Sequence, residues 1–160
     1  MIRNYTAQDH NILCDFFANI IKEHQDYISH GELQMGIAVD CGQLAPDFRE
    51  KWAMYLDRQV AIPENRILLH EENGVLNGFI IFGITDDGDA PFGMIFDLGV
   101  TPECRGRHIG QALVQKAMEY FKQAGIKDCY LESGLNNHSA HHLFERHGFA
   151  HVSNIYRLKL

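Results

Sequence analysis

Apolar residues change their spacing several times along this chain, and each change marks an element. Ile12, Leu13, Phe16, Phe17, Ile20 and Ile21 recur at helical spacing and predict an amphipathic helix. Residues 2–5 before it read as a short strand, and Thr6-Ala7-Gln8-Asp9 as a variant capping box. Residues 25–45 have no clear period and contain Gly31, Gly36 and Gly42, which predicts a long loop or a broken helix. Pro46 suits the first turn of a second helix, in which Phe48, Trp52, Tyr55 and Leu56 share one face. Pro63 closes that unit.

The next part reads as a β-meander. Residues 66–70 form a strand, Asn73-Gly74 a hairpin turn, and residues 75–84 the partner strand. Asp86-Asp87-Gly88-Asp89 turns the chain again; it lacks the twelve-residue pattern of a calcium loop and reads as a solvated turn. Residues 92–100 return as a strand. Ile109, Ala112, Leu113, Ala117, Tyr120, Phe121 and Ala124 then recur at helical spacing up to Gly125. A strand over 129–133, a short helix over 139–147 and one or two strands over 149–160 complete the order β-α-α-β-β-β-α-β-α-β.

Composition narrows the class. A chain of 160 residues with 46% apolar content can build one domain, 1–160, around a real core. Fourteen basic against 21 acidic residues give a formal charge of −7, which argues against nucleic-acid binding and suits a cationic acceptor. Cys14, Cys41, Cys104 and Cys129 are scattered with no Cys-x-x-Cys pair, as expected of reduced cytoplasmic thiols. No long apolar run opens the chain, so neither a signal peptide nor a membrane span is expected.

The run from Asp97 to Leu113 carries the chemistry. Pro102 ends a strand, Arg105-Gly106-Arg107-His108-Ile109-Gly110 forms a basic turn, and a helix follows. A helix N-terminus has about four unpaired N–H groups and a positive dipole end. Two arginines add charge, and Gly106 and Gly110 let backbone approach a ligand. These are the elements of a phosphate or pyrophosphate cradle. No Walker Gly-x-x-x-x-Gly-Lys-Ser/Thr run and no dinucleotide Gly-x-Gly-x-x-Gly fingerprint is present.

This segment resembles motif A of the GNAT superfamily of acyl-CoA N-acyltransferases, Arg/Gln-x-x-Gly-x-Gly/Ala, with His108 where the first family glycine stands. Downstream, Asn137-His138-Ser139-Ala140 through Leu143-Phe144 and Gly148-Phe149 resemble motif B, with Phe144 where the family has tyrosine. The resemblance implies an α/β fold: a mixed, mostly antiparallel central sheet, helices on both faces and a splayed central strand pair, 92–100 and 129–133. It implies acetyl-CoA as co-substrate and direct attack by a primary amine in a ternary complex. By the same resemblance the Leu98 N–H faces the thioester oxygen, Val100 pairs with the pantetheine arm, and the N–H groups of Arg107, His108, Ile109, Gly110 and Gln111 take the pyrophosphate. Arg105 adds charge to that cradle, and Asn137 contacts the cofactor or a water.

Three residues are candidates for proton transfer. Asp97 lies on the motif A strand, where a base role and a loop-ordering role are both open; strict alternation would aim it away from Phe96 and Leu98 unless a bulge intervenes. Glu132 on the partner strand is the second carboxylate. His141 precedes Phe144 by three residues on one helical face and is a candidate acid for the departing thiolate. The cluster His138, His141, His142, His147 and His151 reads as solvated or capping residues, with no metal site expected. The resemblance implies a small-molecule or protein amine as acceptor; no nucleic acid or membrane is expected as partner, and a homodimer is a compatible assembly. The alternative function is a non-catalytic acyl-CoA-binding regulatory domain, motivated by His108 and Phe144; a longer acyl donor is a third reading.

Overall fold

The fold is built on five strands with helices on both faces, as seen in a computed structural model that describes residues 1–40 and 42–160. The sheet runs β1 (Ile2–Asn4), β4 (Asn65–Glu72), β5 (Val75–Thr85), β6 (Phe92–Val100) and β7 (Cys129–Leu131), in that spatial order. All pairs are antiparallel except β6 with β7. Among the described residues no helix is long and apolar enough to cross a membrane. Cys14, Cys104 and Cys129 are free thiols; Cys41 lies outside the described residues.

Strand β5 explains why two helical layers are needed. Its run Phe79-Ile80-Ile81-Phe82 is apolar at every position, so both faces must be covered. Phe79 and Ile81 pack against α1 (His10–Glu23) and α3 (Phe48–Ala61), through Leu13, Phe17, Ile21, Trp52 and Leu56. Ile80 and Phe82 pack on the opposite side against α4 (Ile109–Gln123) and α5 (His138–Arg146). Trp52 is fully buried and stacks on Phe17 with ring centroids 4.4 Å apart. The Thr6–Asp9 capping box forms, and Asp9 is also gripped by Arg3 at 2.8 Å.

Four boundaries differ from the sequence pattern. Residues 25–45 hold a 3-10 turn, a short helix α2 (His30–Gln34) and a hairpin of β2 (Ala38–Asp40) with β3 (Gln43–Leu44). Pro46 stands in the turn before α3 rather than inside its first turn. Strand β7 ends at Leu131, so Glu132 and Ser133 follow it as irregular chain. Residues 149–160, expected as one or two strands, form none. The tail runs past β2 instead, where Lys159 Nζ meets Asp40 Oδ2 at 3.0 Å, so β7 is left at the sheet's edge.

The splay between β6 and β7 has a local cause. The two strands pair only from Gly93↔Cys129 to Ile95↔Leu131. On the other side of β6 the register to β5 shifts, because Ile81 faces Asp97 while Phe82 faces Ile95. Phe96 is therefore the extra residue of a β-bulge, and bulges bend a strand and sharpen its twist. From there on, residues 96–100 have no strand partner on the β7 side among the described residues.

Candidate active site

A cavity of about 570 Å³ opens where β6 and β7 part. Phe96, Asp97, Leu98 and Val100 line it from β6, Glu132 and Ser133 from the chain after β7, and the α4 turn closes one end. The bulge sorts the strand's side chains. Phe96 packs with the α1–α3 core, whereas Ile95, Leu98 and Val100 pack with the α4–α5 core. Asp97 lies near Trp52 and Tyr55 of α3, so it shares a side with Phe96 and opposes Leu98.

Asp97 sits in a setting that resists charge. Burial raises its carboxyl to about 8, and the nearby Glu32 carboxylate pushes the same way. The nearby Tyr55 hydroxyl works in the opposite sense, favouring the carboxylate. The Tyr55 hydroxyl is itself pushed far up, first by burial and then by the Asp97 charge. The buried Trp52 Nε1 works in the same sense as Tyr55, and it has no partner at hydrogen-bond distance among the described residues. A carboxyl that titrates near neutrality inside a cavity is a suitable proton acceptor.

Glu132 is placed differently. Its Oε2 lies 2.9 Å from His30 Nδ1, and its Oε1 accepts the Gly31 N–H at 3.1 Å. The carboxylate thus ties the start of α2 to the end of β7. Glu32, three residues beyond the N-cap Ser29, accepts from the Ser29 N–H and hydroxyl, both at 2.7 Å. The pattern Ser29-x-x-Glu32 is a capping-box signature visible in the sequence. It brings Glu32 into the cavity wall together with Tyr27. Tyr27, Glu32, Trp52 and Tyr55 are site residues that motif reasoning does not reach.

The basic turn adopts the backbone that a cradle needs. Gly106 has φ +76° and His108 φ +62°, so a non-glycine residue holds a left-handed position immediately before α4. Its imidazole Nδ1 lies 3.0 Å from Gln111 Oε1. Gly110 answers a packing demand as well: a Cβ there would lie 3.2 Å from Leu143 Cδ2 and 3.6 Å from Val100 Cγ2. Cys104, Arg105, Gly106, His108, Ile109, Gly110 and Gln111 all line the cavity. The Arg107 guanidinium turns away, paired with Glu72 at 2.7 Å, and its backbone N–H donates to the Cys104 carbonyl at 3.4 Å, so Arg107 itself does not face the cavity. Arg105 donates to the Tyr27 hydroxyl and lies over that ring, 5.4 Å from its centroid.

On α5, Asn137 is the N-cap, accepting the Ala140 N–H at 3.3 Å, and it also lines the cavity. Phe144 is buried against Phe149 and faces the same space. His141 is engaged elsewhere. Its Nε2 lies 2.9 Å from the Gly134 carbonyl, an acceptor, so that nitrogen carries the proton. Its ring meets His138 edge-on rather than facing the cavity. Among the described residues no group of three His, Cys, Asp or Glu is placed to hold a metal ion.

Comparison with known proteins agrees with this geometry. The sequence model described as "Acetyltransferase (GNAT) family" matches residues 36–149. A mycothiol acetyltransferase of Propionibacterium freudenreichii is 31% identical over 93 residues, covering 57% of this chain and 29% of its own. The chain therefore corresponds to less than a third of that relative's length. N-alpha-acetyltransferase 30 of Schizosaccharomyces pombe is 25% identical over 122 residues, covering 75% of this chain and 81% of its own. Among solved structures, a Clostridium acetobutylicum protein described as a "predicted acetyltransferase with acetyl-CoA" superposes with a TM-score of 0.70. It is 17% identical and covers 99% of this chain and 95% of its own.

Proposed function

The chain belongs to the acetyltransferase (GNAT) family, and we propose that it moves an acetyl group from acetyl-CoA to a primary amine by direct attack in a ternary complex. The observation that carries this reading is the bulge at Phe96. It frees the backbone of residues 96–100 beside a helix N-terminus and turns Asp97 into the same cavity. A relative crystallised with acetyl-CoA supports the donor. The name of the Schizosaccharomyces pombe relative, an N-alpha-acetyltransferase, supports the reaction class.

In this reading the residues fit the donor as follows. The N–H groups of His108 to Gln111 and the Arg105 side chain hold the pyrophosphate, where oriented backbone donors favour an anion; the Arg107 N–H, given to the Cys104 carbonyl, is not one of them. Val100 pairs with the pantetheine amides, and the Leu98 N–H stabilises the thioester oxygen as it gains charge. Asn137 holds the donor or a bound water, and Phe144 packs against the arm.

The acceptor arrives as an ammonium. Asp97 takes one proton, and the amine nitrogen forms a bond to the thioester carbon. The tetrahedral species collapses with loss of the C–S bond. The nitrogen gives up its second proton to solvent, and the thiolate of CoA takes one. A thiol of pKa about 8–9 leaves without strong acid help, so water suffices there. Glu32 and Asp97 make this end of the cavity acidic, which suits a cationic acceptor.

The test pairs two measurements: thiol release against a panel of amines, small molecules and peptide N-termini included, and calorimetric titration with CoA and acetyl-CoA. CoA binding with amine-dependent thiol release is expected. Tight binding with no release from any amine would support a non-catalytic acyl-CoA sensor, and release from longer acyl donors only would move the donor assignment.

A further inference from the structure

Resting on the donor reading above, we propose that Arg146, in the last turn of α5, holds the 3′-phosphate of CoA. This contact makes the chain prefer CoA over a donor that lacks that phosphate. Arg146 lines the cavity from the wall opposite the basic turn, whereas its neighbours Glu145 and His147 do not line it. The residue is exposed, and its side chain has no ion pair or hydrogen bond among the described residues.

The course of α5 carries that guanidinium to the donor's far end. Its N-cap Asn137 donates a backbone N–H to the Gly134 carbonyl at 3.0 Å, so the helix starts beside the chain that follows β7. Leu143 then meets the start of α4, where a Cβ on Gly110 would lie 3.2 Å from its Cδ2. The helix thus runs from the thioester end of the cavity to the cradle. Arg146 is three residues past Leu143, on the same helical face and about 4.5 Å further along the axis. It stands beyond Gly110, where a donor whose pyrophosphate lies on the cradle continues into its ribose.

Charge points to the phosphate monoester. Arg107 pairs with Glu72 at 2.7 Å, and His108 Nδ1 lies 3.0 Å from Gln111 Oε1. Arg105, which also donates to the Tyr27 hydroxyl, belongs to the pyrophosphate in the donor reading. The 3′-phosphate, a monoester with about −1.5 to −2 charge at neutral pH, then still needs a cation. A guanidinium offers paired N–H donors that match phosphate oxygens. A basic residue in a last helical turn also suits the helix dipole, but the dipole is served in any orientation and does not require Arg146 to line the cavity.

The test is calorimetric titration of the whole chain with CoA and with 3′-dephospho-CoA, on wild type, Arg146→Gln and Arg146→Lys. Wild type is expected to bind CoA about ten- to hundredfold more tightly than dephospho-CoA. Arg146→Gln should lose that preference by weakening CoA alone, and its unchanged affinity for dephospho-CoA reports an intact fold. Arg146→Lys should keep part of the preference. Equal wild-type affinity for the two ligands overturns the proposal. So does an Arg146→Gln chain that weakens both ligands alike or keeps the preference. These outcomes leave the donor reading standing, because wild type still binds CoA. A wild-type chain that binds neither ligand overturns the donor reading and this proposal with it.

Discussion

Ile81 faces Asp97 across β5 and β6, while the next residue, Phe82, faces Ile95. That one-residue slip decides on which side of the sheet the carboxyl lies. Without it, strict alternation would put Asp97 with Ile95 on the α4–α5 side, away from Tyr55 and Glu32. With it, Asp97 enters the cavity at the point where β6 loses its parallel partner.

Asp97→Asn should lower kcat/KM by about 100- to 10,000-fold with CoA affinity unchanged, if Asp97 is the base. Wild-type activity should rise as pH increases through about 8, where the carboxyl ionises, and the variant should lack that limb. Stability should respond in the opposite sense. The unfolded group ionises near about 4, so the folded chain alone holds this proton between the two values. Its contribution is fully present below about 4 and is lost as pH rises through about 8. Rate–pH profiles and denaturation at several pH values check both; a variant less than about threefold slower would leave the base elsewhere.

Glu132→Gln should act through position. It loosens the ties to His30 and Gly31, so the acceptor's KM should rise while the limb near pH 8 stays. A pH limb that vanishes in this variant and persists in Asp97→Asn would exchange the two roles. Steady-state kinetics of both variants across pH decide.

In the cradle, Gly110→Glu should abolish CoA binding, because it brings a side chain and a negative charge into the turn and crowds Leu143. Arg105→Ala should weaken binding by about five- to thirtyfold through loss of one charge-assisted contact. Calorimetric titration reads both, and unchanged affinity for the Gly110 variant would remove this turn as the donor site.

His108 holds a left-handed backbone that costs a non-glycine residue about 1–2 kcal/mol. His108→Gly should therefore melt at or slightly above the wild-type temperature, despite the greater freedom of glycine in the unfolded chain. His108→Ile should melt several degrees lower, because a β-branched residue tolerates this region least. Thermal denaturation of the three proteins orders them.

These features were not equally legible in the sequence. Helices and strands show because burial imposes a period, and the basic turn shows because glycine punctuates it. The bulge does not show: Ile95-Phe96-Asp97-Leu98 reads the same with one residue inserted or none. The left-handed site is hidden because histidine occupies it. Glu32 was legible through Ser29-x-x-Glu32, but three glycines around it make the region read as loop. In the tail, alternation predicts a strand, yet residues 149–160 form none, because alternation alone carries no information on whether an edge is there to receive it.

Phe144 tests how the thiolate leaves. Phenylalanine keeps a ring in the cavity wall but has no proton to give. His141, on the same face of α5, directs its Nε2 proton to the Gly134 carbonyl. To serve as the acid it would have to break that bond and turn toward the cavity. His141→Ala should therefore leave kcat within about twofold of wild type, well short of the usual loss of a general acid. Phe144→Tyr restores a hydroxyl where the family resemblance expects one, and kcat should rise if protonation limits the rate. The double variant should match Phe144→Tyr alone, because the histidine contributes nothing to be coupled. Single-turnover rates with one amine, measured on all four proteins, read this directly. A large loss in His141→Ala that Phe144→Tyr rescues would instead make the imidazole the acid.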